Sequence, residues 1–353
     1  MSHEIESTDG LVLTSARAWH GLGTIVEDAP TPADALRIAG LDWRVEQWPL
    51  YATNGGTNLG LATERVVIEN TVANIRSDTK RVLGLVGEGY TPIQNNELAE
   101  FCQLLAENGD DVRVETAGSI RGGAKVWFLL RGESFSVRGR KGSDDVVSPY
   151  ILASNGHDGG TALRLTPTSV RVVCSNTLHM VIPGFEAESG ASFGRRNIGA
   201  GFVANHTGDV RNKVEQAKQA LELYGRTVER NREFINALAS RDWNSETVGR
   251  FLVQCYATTV EPIPTNPKTE AEERAATKAR EAVAGMLARF ERESLLVGSS
   301  AWVAVNAFTG YMQHDRPIRF RDPARVREQR VQSALFGDVG SASTTAFALA
   351  LTV

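Results

Sequence analysis

Cysteine is scarce in this chain: three in 353 residues, Cys102, Cys174 and Cys255, far apart and with no CxxC or Cys/His pairing. That spacing argues against a disulfide framework and a structural zinc site, and leaves all three as expected reduced core residues. No apolar run approaches the roughly 20 residues needed to cross a bilayer. The opening MSHEIESTDG is acidic and polar and lacks the basic-then-apolar pattern of a secretory signal, so a cytoplasmic protein is expected. The catalytic signatures are missing as well. There is no GxxxxGK(S/T), no GxSxG and no HExxH, and the glycine-rich turns lack the strand–GxGxxG–helix context of a dinucleotide site. His157-Asp158 and His206 near Asp209 bring histidine close to carboxylate, but no third ligand is evident, and Asp209 reads as a helix N-terminal residue favoured by the dipole. No enzyme, cofactor or metal is therefore expected.

What the chain does have is an ordinary globular composition, 42% hydrophobic and 23% charged, with unevenly placed charge. The net charge is −4, yet Val112 to Arg232 holds 17 Lys plus Arg against 11 Asp plus Glu, an excess of six positive charges that leaves −10 for the remainder. Segregation of this kind can put a basic face on an acidic protein; ordinary solvated surface is the competing reading.

The central stretch, Asp145 to His179, sets the organisation. Strand-like runs at 148–153 and 161–166 flank Asn155-Gly156-His157-Asp158-Gly159-Gly160, whose Asn-Gly and Asp-Gly pairs tolerate a tight reversal and predict an antiparallel hairpin. A third run, 169–174, follows Pro167. Upstream, 112–115 and 125–130 predict another hairpin around Arg121-Gly122-Gly123. In its second strand Lys125, Trp127, Leu129 and Arg131 share one face and Val126, Phe128 and Leu130 the other. The basic loop 137–142 follows. Strands are also expected at 42–52, 65–70 and 73–86. Thr31-Pro32 opens a short helix ended by Gly40, and Thr91 to Gln94 carries a capping-box pattern before a helix burying Leu98, Phe101, Cys102 and Leu105.

A long helix is predicted over 209–239, with an apolar seam at Val210, Val214, Ala217, Leu221, Tyr224 and Val228. Helices capped at Asn244 or Ser245, over 270–292 and over 299–314, come next, with a proline-rich connector at 261–267. The expected fold class is α+β: an antiparallel sheet with a basic hairpin packed on a long helix in residues 1–240, and a mainly helical C-terminal region over 241–353.

Several clusters resemble a phage- and plasmid-like protein family of uncharacterised function: Trp19 to Gly23, Ala39 to Trp43, Gly89 to Asn95, and Val170 to Leu178 with its Arg-Val-Val-Cys-Ser-Asn-Thr-Leu core. His206-Thr207 and Asn306 to Thr309 fit it too. That resemblance implies a bacterial host cell and a mobile element. The order of elements is also similar to the core of phage single-strand annealing proteins of the Red-beta and RecT kind, a likeness of topology without a shared motif. It implies a single-strand-annealing-protein-like core, a homo-oligomeric ring or filament, and ATP-independent annealing of single-stranded DNA in recombination or replication. The expected DNA contacts are Arg121, Lys125, Arg131, Arg138, Arg140, Lys141, Arg164, Arg171, Arg195 and Arg196 for phosphates, with Trp127 as a stacking surface. For Arg171 a buried salt bridge is the competing reading. Two other functions stay open: a protein-binding module inhibiting host defence, and a small-molecule enzyme using His157, Asp158, Asn176 and His206.

Overall fold

The structure is a computed structural model, and it describes residues 11–13, 24–25, 29–53, 65–109, 111–138, 144–171, 176–178, 202–204 and 213–353. The chain divides into two compact units, each assembled from three separate stretches: Met1–Leu130, Leu152–Leu165 and Phe202–Leu221 in the first, and Arg131–Ile151, Thr166–Gly201 and Glu222–Val353 in the second. The architecture is mixed α+β, with mainly antiparallel sheets and a helical C-terminal region.

The strands are β1 (Leu11–Leu13), β2 (Thr24–Ile25), β3 (Val45–Thr53), β4 (Arg65–Arg76), β5 (Val82–Gly87), β6 (Arg113–Ile120), β7 (Lys125–Arg131), β8 (Phe135–Arg138), β9 (Asp144–Gly156), β10 (Leu163–Arg171), β11 (Asn176–Leu178) and β12 (Phe202–Ala204). One sheet runs in the order β11-β10-β9-β7-β6-β1-β2, with β12 joined to β10 and β8 to β9; the other is β3-β4-β5. β1 and β2 form a parallel pair, while β1 and β6 are antiparallel with Val12 opposite Ala117. The Asn-Gly/Asp-Gly reversal joins β9 to β10 as predicted. Residues 161–166 and 169–174 do not form two strands, however: β10 runs through Pro167 without a break. The run 73–86 is likewise a hairpin, since Ser77 to Lys80 turns the chain between β4 and β5.

In the first unit, α1 (Pro32–Ile38) starts as its sequence dictates: Thr31 caps Asp34 N–H at 3.1 Å and Pro32 takes the first turn, where its missing N–H costs nothing. α2 (Asn95–Asn108) is capped by Gln94 rather than Thr91, with Glu97 closing the capping box at 2.7 Å from Gln94 N. Its buried face carries Leu98, Phe101, Cys102 and Leu105, the four residues predicted.

The second unit is built from the later helices: α4 (Ser245–Thr259), α5 (Glu270–Val297), α6 (Ala301–Gly310), α7 (Pro323–Phe336) and α8 (Asp338–Thr352). α6 is buried along its whole length, which its apolar composition on every side requires. Its core partners include Phe251, Met286 and Phe347, and Trp302 Nε1 donates to Asp145 Oδ2 at 2.9 Å. A π-helical turn, Tyr311–Asp315, extends α6 toward Pro317. The long helix α3 (Lys213–Ser240) contributes to both units, and its buried residues include Tyr224, Thr227, Asn231, Ile235 and Leu238; Leu221 and Val228 are only half-buried. No helix among the described residues is long and apolar enough to cross a membrane.

Candidate phosphate-contacting site

Three turns of the first unit converge: Arg76 to Val82 between β4 and β5, Ile120 to Lys125 between β6 and β7, and Gly156 to Thr161 between β9 and β10. The second turn is the tightest. Arg121, Gly122 and Gly123 have φ of 54°, 69° and 97°, so three successive residues occupy the left-handed region. That conformation costs glycine little, whereas Arg121 pays a steric penalty in holding it. The Arg81 guanidinium lies where a Gly122 side chain would stand, and the Trp43 ring approaches Gly123 so closely that a Cβ would meet it at 2.7 Å. Arg76 reaches the Gly122 carbonyl at 3.4 Å.

A buried polar network fixes the third turn. His157 is fully buried; its N–H donates to Ala124 O at 2.8 Å, its carbonyl accepts from Asn74 Nδ2 at 2.9 Å, and its Nε2 meets Asn95 Oδ1 at 2.9 Å. Tyr90 donates to Gly156 O at 2.9 Å, and Asn155 to Ile93 O at 2.8 Å. The Trp43 ring stands edge-on to His157, with centroids 5.6 Å apart, and carries the Arg76 guanidinium 4.6 Å from its centre. Asp78 completes the row by accepting from Arg76 through both oxygens, at 2.8 and 3.0 Å. Burial works against the Asp78 carboxylate, but the bonds from Arg76 and Thr79 N–H outweigh it and hold its pKa below the usual range.

Held this way, the turns bring three of the predicted contacts together. Lys125 is half-buried, and burial is the largest cause of its lowered pKa. Asp158 opposes the shift, while the guanidiniums of Arg121 and Arg164 add to it. Two further cations and one carboxylate are thus within electrostatic reach of the Lys125 ammonium. Arg121 is exposed, and the half-buried Arg164 has an Nε shut off from water with no hydrogen-bond partner among the described residues. Two guanidiniums near an ammonium make a group whose N–H donors and charge suit phosphate oxygens.

The other expected contacts fall differently. Trp127 is 1% exposed, so it is a core residue and not a stacking platform. The alternation that seemed to give β7 a solvent face fails because Lys125 to Leu130 is covered on both sides, with Leu129 also buried. Arg131 is exposed and belongs to the second unit. Arg138 and Arg171 end β8 and β10, opposite Asp144 and Asn176, and their side chains lie outside the described residues; Arg140, Lys141, Arg195 and Arg196 lie outside them altogether. Of the residues considered for an enzyme, His157 is locked in the core, and His206 and the Asn176 side chain are outside the described residues. Cys102 and Cys255 are buried thiols whose pKa burial pushes up, which keeps them protonated and inert. No group of three or more metal-ligating side chains occurs among the described residues. The residues missed by sequence reading are Arg76, Arg81, Trp43 and Asn95. Trp43 and Asn95 fall in clusters that carry the family resemblance but were given no role, and the signal of Arg76 and Arg81 was cationic character inside apolar segments.

Residues 82–335 match a family described as a domain of unknown function, DUF932. The chain belongs to the DUF932 family. The DUF932 segment carries Arg121, Lys125, Asp158, Arg164 and the His157–Asn95 pair. Trp43, Asn74, Arg76 and Arg81 lie ahead of it, so the clasp on the 121–123 turn comes from the flank that precedes the DUF932 match. No curated protein and no solved structure matches the chain.

Proposed function

We propose that this DUF932 protein binds single-stranded DNA through its phosphates and anneals complementary strands without ATP, in the recombination or replication of a phage or other mobile element. The observation that carries the reading is the junction of two turns, His157 N–H donating to Ala124 O at 2.8 Å. It sets Lys125 beside the 156–161 turn, with Arg121 and Arg164 in electrostatic reach and Asp158 favouring its ammonium. Each backbone phosphate carries negative charge and supplies acceptors for guanidinium and ammonium N–H donors. The absence of a P-loop motif from the sequence agrees with a pairing reaction that needs no nucleotide hydrolysis. Annealing of this type brings several protomers onto one strand, so the reading includes a homo-oligomer.

The test is fluorescence anisotropy with a labelled oligonucleotide over a salt series, followed by strand-pairing assays without ATP. For single strands each phosphate contact contributes about −0.7 to the slope of log affinity against log salt. Replacing Arg121, Lys125 and Arg164 by glutamine should therefore flatten the slope by about 2. Across a fourfold rise in salt, those three contacts correspond to roughly a 20-fold change in affinity. An unchanged slope in the triple variant, or no binding by the native chain at low salt, overturns the assignment.

A further inference from the structure

The β3-β4-β5 sheet carries an unusual share of exposed apolar surface. Of the thirteen large hydrophobic residues exposed in the described chain, seven lie on these three strands. β5 pairs with β4 only as far as Thr71, opposite Gly87, so Leu50 to Thr53 and Arg65 to Ile68 form a two-stranded ribbon beyond it. In that ribbon Tyr51 opposes Val67 on one face, while Leu50 opposes Ile68 and Ala52 opposes Val66 on the other. Tyr51, Val66 and Val67 are each more than half exposed, at 51%, 59% and 53%. A two-stranded ribbon with apolar side chains in water on both faces is marginally stable by itself. The apolar surface continues onto the three-stranded part, where Trp48, Ala73 and Leu85 stand in register and the outer two are 45% and 58% exposed.

We propose that the β3–β4 arm is a contact between two copies of this chain, made face to face. Three features of the arm point to a second copy. The five exposed side chains of β3 and β4, with Val82 and Leu85 beside them on β5, amount to roughly 600 Å² of apolar surface over two faces. Burial of one face therefore makes a contact smaller than the roughly 800 Å² per partner of a standard interface, the size of a weak, concentration-dependent association. Its charges are balanced, since Lys80 lies 5.6 Å from the Trp48 ring centre and pairs with Glu46 at 3.2 Å. A patch with both signs side by side is complementary to its own two-fold copy and offers no net attraction to a strongly charged partner. Finally, Pro49 removes an N–H from the edge strand and sits at a register shift, which hinders extension of the sheet by strand addition and leaves the faces as the contact.

The inference supplies a surface for the self-association that the annealing reading includes, but it needs no nucleic acid and is tested without it. Sedimentation velocity over a concentration series compares the native chain with Tyr51→Glu/Val67→Glu, with Trp48→Glu, and with Leu295→Glu as a control at an exposed leucine far along the chain. The arm variants should keep the native circular dichroism and raise the concentration for half-association at least about tenfold, as loss of an aromatic anchor does, while the control associates as the native chain. A native chain that stays monomeric throughout, or arm variants that associate as tightly as the control, overturns the proposal. An arm variant that is monomeric and still binds a labelled oligonucleotide would support it separately from the DNA reading. Loss of oligonucleotide binding in the cation variant alone would leave the arm contact standing.

Discussion

Replacing Asn95 by alanine should cost this protein a large part of its stability, although the residue is small and touches no other element of the charged group directly. Asn95 opens α2 and is fully buried. Its Nδ2 donates to Leu41 O at 2.9 Å and, at a long 3.5 Å, to Trp43 O, which fixes its Oδ1 as the acceptor facing His157 Nε2. That in turn places the proton on Nε2 of the imidazole. Truncation leaves the Leu41 carbonyl and the His157 N–H without these partners, away from water. Each such loss costs about 1–3 kcal/mol; with the small cavity added, the total is about 3–5 kcal/mol. This compares with roughly 5–15 kcal/mol for the whole stability of a typical domain. Asn96, the next residue, is exposed, and its alanine variant should stay within about 0.5 kcal/mol of the native chain. Urea unfolding followed by tryptophan fluorescence measures both, with Trp43 reporting on the network itself. If Asn95→Ala shifts the unfolding free energy by less than about 1 kcal/mol, the buried network is not what fixes the 156–161 turn, and the account of how the cations are gathered fails with it.

Gly84→Ala should destabilise by about 1–3 kcal/mol or more, because a Cβ there would lie 2.6 Å from Asp158 Cα, backbone against backbone with no flexible group to yield. Gly89→Ala, where nothing lies within 4 Å, should be nearly silent in the same urea unfolding. Lys125 ties affinity to pH. Its lowered pKa means that oligonucleotide binding should weaken as pH rises through a range where ordinary lysines stay charged, and Lys125→Arg should hold affinity further toward about pH 10. Anisotropy at several pH values decides this, and identical profiles for the two chains refute it. For stability the sign is opposite. A lysine whose folded pKa lies below its unfolded value opposes folding at neutral pH, and that opposition fades as pH rises. Lys125→Met should accordingly melt higher than the native chain at pH 7 while binding the oligonucleotide more weakly.

The helices were legible because their signals are local. Thr31-Pro32 and Asn244 cap where the sequence places them, and α5 begins at Glu270 as predicted, its end at Val297 marked by Gly298 with φ 92°. α7 was not foreseen, having a weak apolar stripe among its many charges. Strand boundaries failed where the deciding contacts are distant: Pro167 reads as a break, yet the strand continues through it. Trp127 shows the same limit. Alternation along β7 assigns it a face, but only residues far along the chain decide whether that face meets solvent. The cation group was half legible for the same reason. Arg121, Lys125 and Arg164 stand out in a basic region, whereas Arg76 and Trp43 are joined to it through contacts between turns some 30 to 120 residues apart, which no short window of sequence contains.

The interleaving of the two units has a consequence for synthesis. Asp145 leaves the ribosome 157 residues before Trp302, the indole it accepts from. At about 5–20 residues per second the wait is roughly 10–30 s. Throughout it, Val137 and Val147, both fully buried at the end, have none of the core supplied by α4 to α8. The first unit is also incomplete until Leu221 has emerged. Neither half of the gene encodes a unit that can close by itself, so nascent chains of this protein present unpaired strands and bare valines for chaperones to cover, and truncation from either end removes part of a core.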